Sequence, residues 1–104
     1  APFQAGELVK LELKASPAAV TAAAASTALE NLWRASQSLE DSTDLALLDK
    51  LDEAKVLYWE GLAYQSQVIC QTGDEALASY SSAATCLCKA QAYALEVLHM
   101  AEKG

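Results

Sequence analysis

Residues 73–104 read GDEALASYSSAATCLCKAQAYALEVLHMAEKG, and the spacing inside this stretch decides the fold. Ala76, Tyr80, Ala83, Leu87, Ala90, Ala94, Val97 and Ala101 are separated alternately by four and three residues. On an α-helix of about eight turns, that alternation keeps one thin apolar seam on a single side. Most of the seam is alanine, so a neighbouring helix can come close, and none of it carries a group that performs chemistry. The pattern points to a helical packing and recognition module and away from an enzyme.

Working outward, two more helices precede this one. Leu47, Leu51, Ala54, Tyr58, Gly61, Gln65 and Val68 repeat the four-three spacing, which predicts a helix over 44–71, flanked by Leu48, Leu62 and Ile69. Glycine inside a helix costs about 1 kcal/mol against alanine, so Gly61 in the seam implies that another backbone or a large ring crosses there. Gly73 suits a left-handed turn between helices, and either Thr72, at capping-box spacing from Glu75, or Asp74 opens the last helix at 74–103. The first helix is expected over 17–40. Ser16 is its candidate cap and Pro17 is preorganised for its first position. Its inner stripe is Val20, Ala24, Ala28, Leu32, Ala35 and Leu39, with Trp33 beside it and an i,i+4 pair, Glu30 and Arg34, on another side. The polar break Asp41-Ser42-Thr43-Asp44 is a tight turn in which Ser42, Thr43 or Asp44 caps the next helix.

The first fifteen residues read differently. Val9, Leu11 and Leu13 alternate with Lys10, Glu12 and Lys14, a period of two that marks an extended segment with one apolar face. The expectation is a semi-ordered N-terminal arm over 1–15, followed over 16–104 by an all-α, up-down-up antiparallel three-helix bundle with long helices.

Composition bounds the function. The chain has 104 residues, about one small domain, with only 4 glycines and 2 prolines, which disfavours disorder and turn-rich β architecture. Its net charge of −7 argues against nucleic acid or an anionic membrane as the main partner, since both require clustered lysine and arginine. A basic or mixed-charge peptide fits better. No apolar run approaches the roughly 18 residues of a membrane span, and no targeting signal is read, so the expected location is cytoplasmic. The odd number of cysteines, 3, suits a reducing compartment. Cys86 and Cys88 are two apart on a helix, about 200° around its axis, and so neither bond to each other nor chelate together.

Catalytic signatures are missing. There is no phosphate-cradling glycine loop, HExxH, CxxC or GxSxG. The single histidine, His99, stands near a helix end without a neighbouring ligand, so no metal and no cofactor are expected. The carboxylates Glu40, Asp41, Asp44, Asp49, Asp52 and Glu53 read as a solvated acidic end or as a docking surface for a basic peptide.

Two apolar rows lie off the seams. Val56, Trp59 and Ala63 face away from Ala54 and Gly61, while Cys86, Tyr93 and Met100 recur every seven residues with Lys89 and Glu96 between them. A helix with two apolar rows has two neighbours. Those neighbours are either the other two helices of the bundle, or one helix and a partner segment accepted in a groove between helices. On the second reading Trp59, Tyr93 and Met100 supply apolar contact, and Lys89 and Glu96 set the partner's register.

Gly73-Asp74-Glu75-Ala76-Leu77-Ala78-Ser79-Tyr80-Ser81-Ser82-Ala83 resembles the G-x-x-E-A-L-x-x-Y-x-x-A signature of MIT (microtubule-interacting and transport) domains, compressed by one residue. The signature opens the middle helix in that family and the last helix here. Ala76, Tyr80 and Ala83, with the preceding Gly61-Leu62-Ala63-Tyr64, are also similar to a tetratricopeptide hairpin. The MIT resemblance implies a three-helix bundle that binds short helical motifs from ESCRT tails in an inter-helix groove, with acidic groups receiving basic ones. The reading is therefore a non-catalytic peptide-binding module, with helical self-association as a homodimer or scaffold element as the alternative.

Overall fold

A computed structural model describes residues 16–103, and the arm expected over 1–15 lies outside the described residues. Three α-helices make up almost all of it: α1 (Pro17–Ser38), α2 (Leu45–Gln67) and α3 (Gly73–Lys103). They form the expected all-α three-helix bundle. Antiparallel neighbours follow from the pairings between helices, since Thr21 meets Gln65 and Lys50 meets Glu96.

Local chemistry explains the element ends. Pro17 stands in the first turn of α1, and the Val20 amide reaches the Ser16 carbonyl at 3.0 Å. Ser16 occupies the N-cap position but makes no side-chain cap. Instead Thr21, fully buried, turns its hydroxyl back to the carbonyls of Pro17 and Ala18 at 3.0 and 3.1 Å. Helix α1 stops two residues before the expected end, and Leu39 and Ser42 close the turn through amide bonds to the Ala35 and Leu39 carbonyls. Among the three candidate caps of α2, Asp44 takes the role. Its carboxylate accepts from the amides of Ala46 and Leu47 at 3.1 and 3.3 Å, and Ser42 Oγ accepts from the Asp44 amide. Helix α2 ends at Gln67 rather than 71 and tightens into a single 3-10 turn, Val68–Cys70. Gly73, at φ +60°, makes the left-handed step that only glycine adopts without strain, and it is the first residue of α3. Asp74 and Glu75 at the start of α3 and Lys103 at its end complement the helix dipole.

Packing follows the alanine seam. Ala83, Leu87, Ala90, Ala94 and Val97 are wholly buried, with Ala76, Tyr80 and Ala101 half-buried at the two ends. Ala28, Leu32, Ala35 and Leu39 of the first helix, and Leu47, Leu51 and Ala54 of the second, complete the core, while Val20 and Ala24 are half-buried. The crossing at Gly61 is close: an added Cβ would stand 2.7 Å from Leu87 Cγ and 3.2 Å from the Ala83 carbonyl oxygen. The glycine thus lets the α3 backbone approach, as its place in the seam implies. Helix α3 packs extensively on both others, whereas α1 and α2 touch each other least.

Candidate functional site

The geometry of α2 sorts its side chains into flanks. At about 100° per residue, Lys50, Leu57, Glu60 and Tyr64 lie on one side of the Ala54–Gly61 seam, and Leu48, Lys55, Tyr58 and Leu62 on the other. Lys50 on the first side bonds to Glu96 of α3, so that flank faces α3. The second flank therefore faces α1, and the Gln65 amide nitrogen donates to Thr21 Oγ1 across that boundary at 3.4 Å.

On the α2–α3 side the row Cys86, Tyr93, Met100 is not uniformly free. Tyr93 is half-buried against the core cluster, and the Lys50 ammonium sits 4.7 Å from its ring centroid. Lys50 also pairs with Glu96, so Glu96, assigned above to a partner's register, holds α2 to α3. The Glu96 hydrogen bond, opposed by desolvation and assisted by the same carboxylate's charge, raises the Lys50 pKa above its ordinary 10.5. Cys86 is half-buried, and burial first, then the negative charge of Glu60, pushes its thiol pKa up against the opposing effect of Lys89. Cys88 is raised by burial as well. A raised thiol pKa lowers the thiolate fraction on which nucleophilic attack depends. Met100 is 52% exposed at the far end of the row, and Lys89, between Cys86 and Tyr93, is exposed as well.

The α2 row is open. Val56 is 55% and Trp59 66% exposed, with Ala63 exposed between turns. Relative to Ala54 they lie about 200°, 140° and 180° around the axis, opposite the core, with Trp59 leaning toward α1. The ridge of Glu53, Glu60 and Tyr64 stands between this row and Tyr93. The two apolar rows therefore do not line one groove. A shallow depression lies on the α2 surface itself, lined by Glu60, Ala63, Tyr64 and Gln67, and another between α1 and α3 is lined by Arg34, Gln37, Ser38, Leu98 and Glu102.

Two residues absent from the candidate set join Trp59. Leu29 is 53% and Trp33 60% exposed, and both lie across the buried stripe of α1 from Arg34 and Ser38, which line the α1–α3 depression, and so on the α2 side. Their signal was available in the spacing: Ala18, Ala22, Ala25, Leu29 and Trp33 recur every three or four residues along α1 without a charge. Among the described residues, no group of three or more His, Cys, Asp or Glu side chains is placed to hold a metal, and no helix is long and apolar enough to cross a membrane. His99 is exposed in the last turns of α3.

Fold and surface together define an acidic three-helix bundle with exposed aromatic residues. Comparison with known protein families, characterised proteins and solved structures finds no match to the chain.

Proposed function

We propose that the chain is a non-catalytic protein-interaction module that binds a short amphipathic or linear peptide segment in the cytoplasm. The supporting observation is that both tryptophans, Trp33 and Trp59, are more than half exposed. Tryptophan is among the residue types that dominate binding energy when an interface closes over them, and in a free domain it is normally covered. The net charge of −7 adds a preference for basic or mixed-charge partners. Following the MIT-like signature of residues 73–83, the partners proposed are tail segments of the ESCRT type.

Synthetic ESCRT tail peptides titrated by fluorescence anisotropy test the reading. Binding in the micromolar range is expected, with loss on the order of tenfold or more when Trp59 becomes aspartate, while far-ultraviolet circular dichroism stays unchanged. No binding by any such peptide, together with a dimer in sedimentation at micromolar protein, would replace this reading by the self-association alternative.

A further inference from the structure

Helix α1 turns a flank without charges toward α2, from Ala18 through Ala22, Ala25 and Leu29 to Trp33. Helix α2 answers with Leu48, Tyr58, Trp59 and Leu62, interrupted only by Lys55. Leu29, Trp33 and Trp59 are each more than half exposed, and Tyr58 and Trp59 meet edge to face with centroids 5.6 Å apart. The two helices that make this face are the pair in least mutual contact. From the Thr21–Gln65 bond to the turn after Ser38, their antiparallel overlap runs about 27 Å, or five helical turns. The face therefore has the length and the apolar stripe that a further helix covers when three helices become four.

The other sides of the bundle are less suited. The α2–α3 side is closed by Lys50, Glu96 and Tyr93. The α1–α3 side carries Leu77 and Leu95, but its depression is edged by Arg34 and Glu102.

Charge selects among occupants of the α1–α2 face. Glu30 and Asp52 are exposed, and at about 100° per residue they lie on the outer sides of α1 and α2, one along each edge of this face. A second copy would bring a further net charge of −7 and the same two carboxylates, whereas a helix with cationic flanks meets them with opposite sign. Lys55 adds one constraint: the partner residue above it is apolar or acidic.

Resting on the interaction-module reading, we propose that the α1–α2 face seats an amphipathic helix of about five turns. Its apolar side covers Leu29, Trp33 and Trp59, and lysine or arginine flanks lie along Glu30 and Asp52.

The chain's only 2 tryptophans both lie on this face, so their emission reports its occupancy. Two tryptophan-free synthetic helices with the same leucine–alanine face, one lysine-flanked and one glutamate-flanked, are titrated into the full chain. The lysine-flanked helix should shift the emission to the blue and bind on the order of tenfold tighter or more. Leu29→Glu should weaken that binding about tenfold, and the double variant Glu30→Lys/Asp52→Lys should reverse the preference. Equal binding of the two helices overturns the charge assignment. Binding untouched by Leu29→Glu overturns the location and leaves the module reading standing. Emission already blue-shifted in the free protein overturns the proposal too: sedimentation as a dimer gives the face to a second copy, and as a monomer to the chain itself. Failure of these helices and of the tail peptides alike would sink both readings.

Discussion

Toward α3, helix α2 presents Ala54 and Gly61, and toward α1 it presents the half-buried Tyr58 and Leu62, with the exposed Trp59 leaning outward on the same flank. The first set lets the α3 backbone come within van der Waals reach of Gly61, so that Ala83 and Leu87 are fully covered. The second set is bulky, and α1 and α2 stay in slight contact with Trp33 and Trp59 left in water. Side-chain thickness at the contact sets helix separation. A three-helix bundle whose third helix carries an alanine seam thus closes on two sides and remains loose on the third. Closure makes stability, and the loose side leaves apolar area free for something else to bury.

The comparison breaks most visibly at its two leucines. Leu87 is fully buried, so Leu87→Ala leaves a cavity and should cost about 2–5 kcal/mol in urea unfolding. Leu29, on the loose side, is more than half exposed, and Leu29→Ala should stay within about 0.5 kcal/mol. Comparable losses at the two positions would mean that the α1–α2 flank is core in solution.

Much of this was legible in the sequence, for reasons that differ by region. The four-three ladder of α3 translates directly into burial because its seam points between the two other helices, which cover it from both sides. Gly61 announced a close crossing because glycine mid-helix needs a packing reason. The α2 cap was narrowed to Ser42, Thr43 or Asp44 but not chosen, since all three side chains accept amide hydrogen bonds and the exact turn decides. The spacing already turns Trp33 about 100° away from Leu32 and out of the inner stripe, yet it does not say which flank of α1 receives α2. That is a property of bundle handedness, which no single-helix period contains. The Lys50–Glu96–Tyr93 contact needs the register between α2 and α3, as does the separation of the Val56–Trp59–Ala63 row from Cys86, Tyr93 and Met100.

Two positions on α2, two residues apart, sharpen the contrast at intermediate size. Gly61→Ala gains about 1 kcal/mol of helix propensity but drives a methyl group into Leu87 and the Ala83 carbonyl. Overpacking of that kind costs about 1–3 kcal/mol, so net destabilisation near 1 kcal/mol is expected. Ala63→Gly on the open face should lose about 1 kcal/mol from propensity alone. The two variants reach similar losses for opposite reasons, and heat separates them from wild type only together. What distinguishes them is the compensating change: Leu87→Ala should rescue Gly61→Ala in a double-mutant cycle and leave Ala63→Gly unaffected. A stabilised Gly61→Ala protein would show that the α2–α3 contact is looser than its geometry.

A smaller effect than that at Gly61 belongs to the clasp at the edge of the closed side. Lys50 has its pKa raised by the Glu96 hydrogen bond, so the folded state holds that proton more tightly than the unfolded chain does. The sign follows: the stabilisation is fully present below the ordinary lysine value of 10.5 and is lost as pH climbs through the higher folded value. Lys50→Gln should therefore lower neutral-pH stability by less than Gly61→Ala does, because exposed ion pairs are weakened by solvent and salt. The difference between Lys50→Gln and wild type should shrink as the pH is raised past the lysine range and as salt is added. A difference that persists under both conditions would assign the role of Lys50 to the packing of its alkyl stem against Tyr93 and not to its charge.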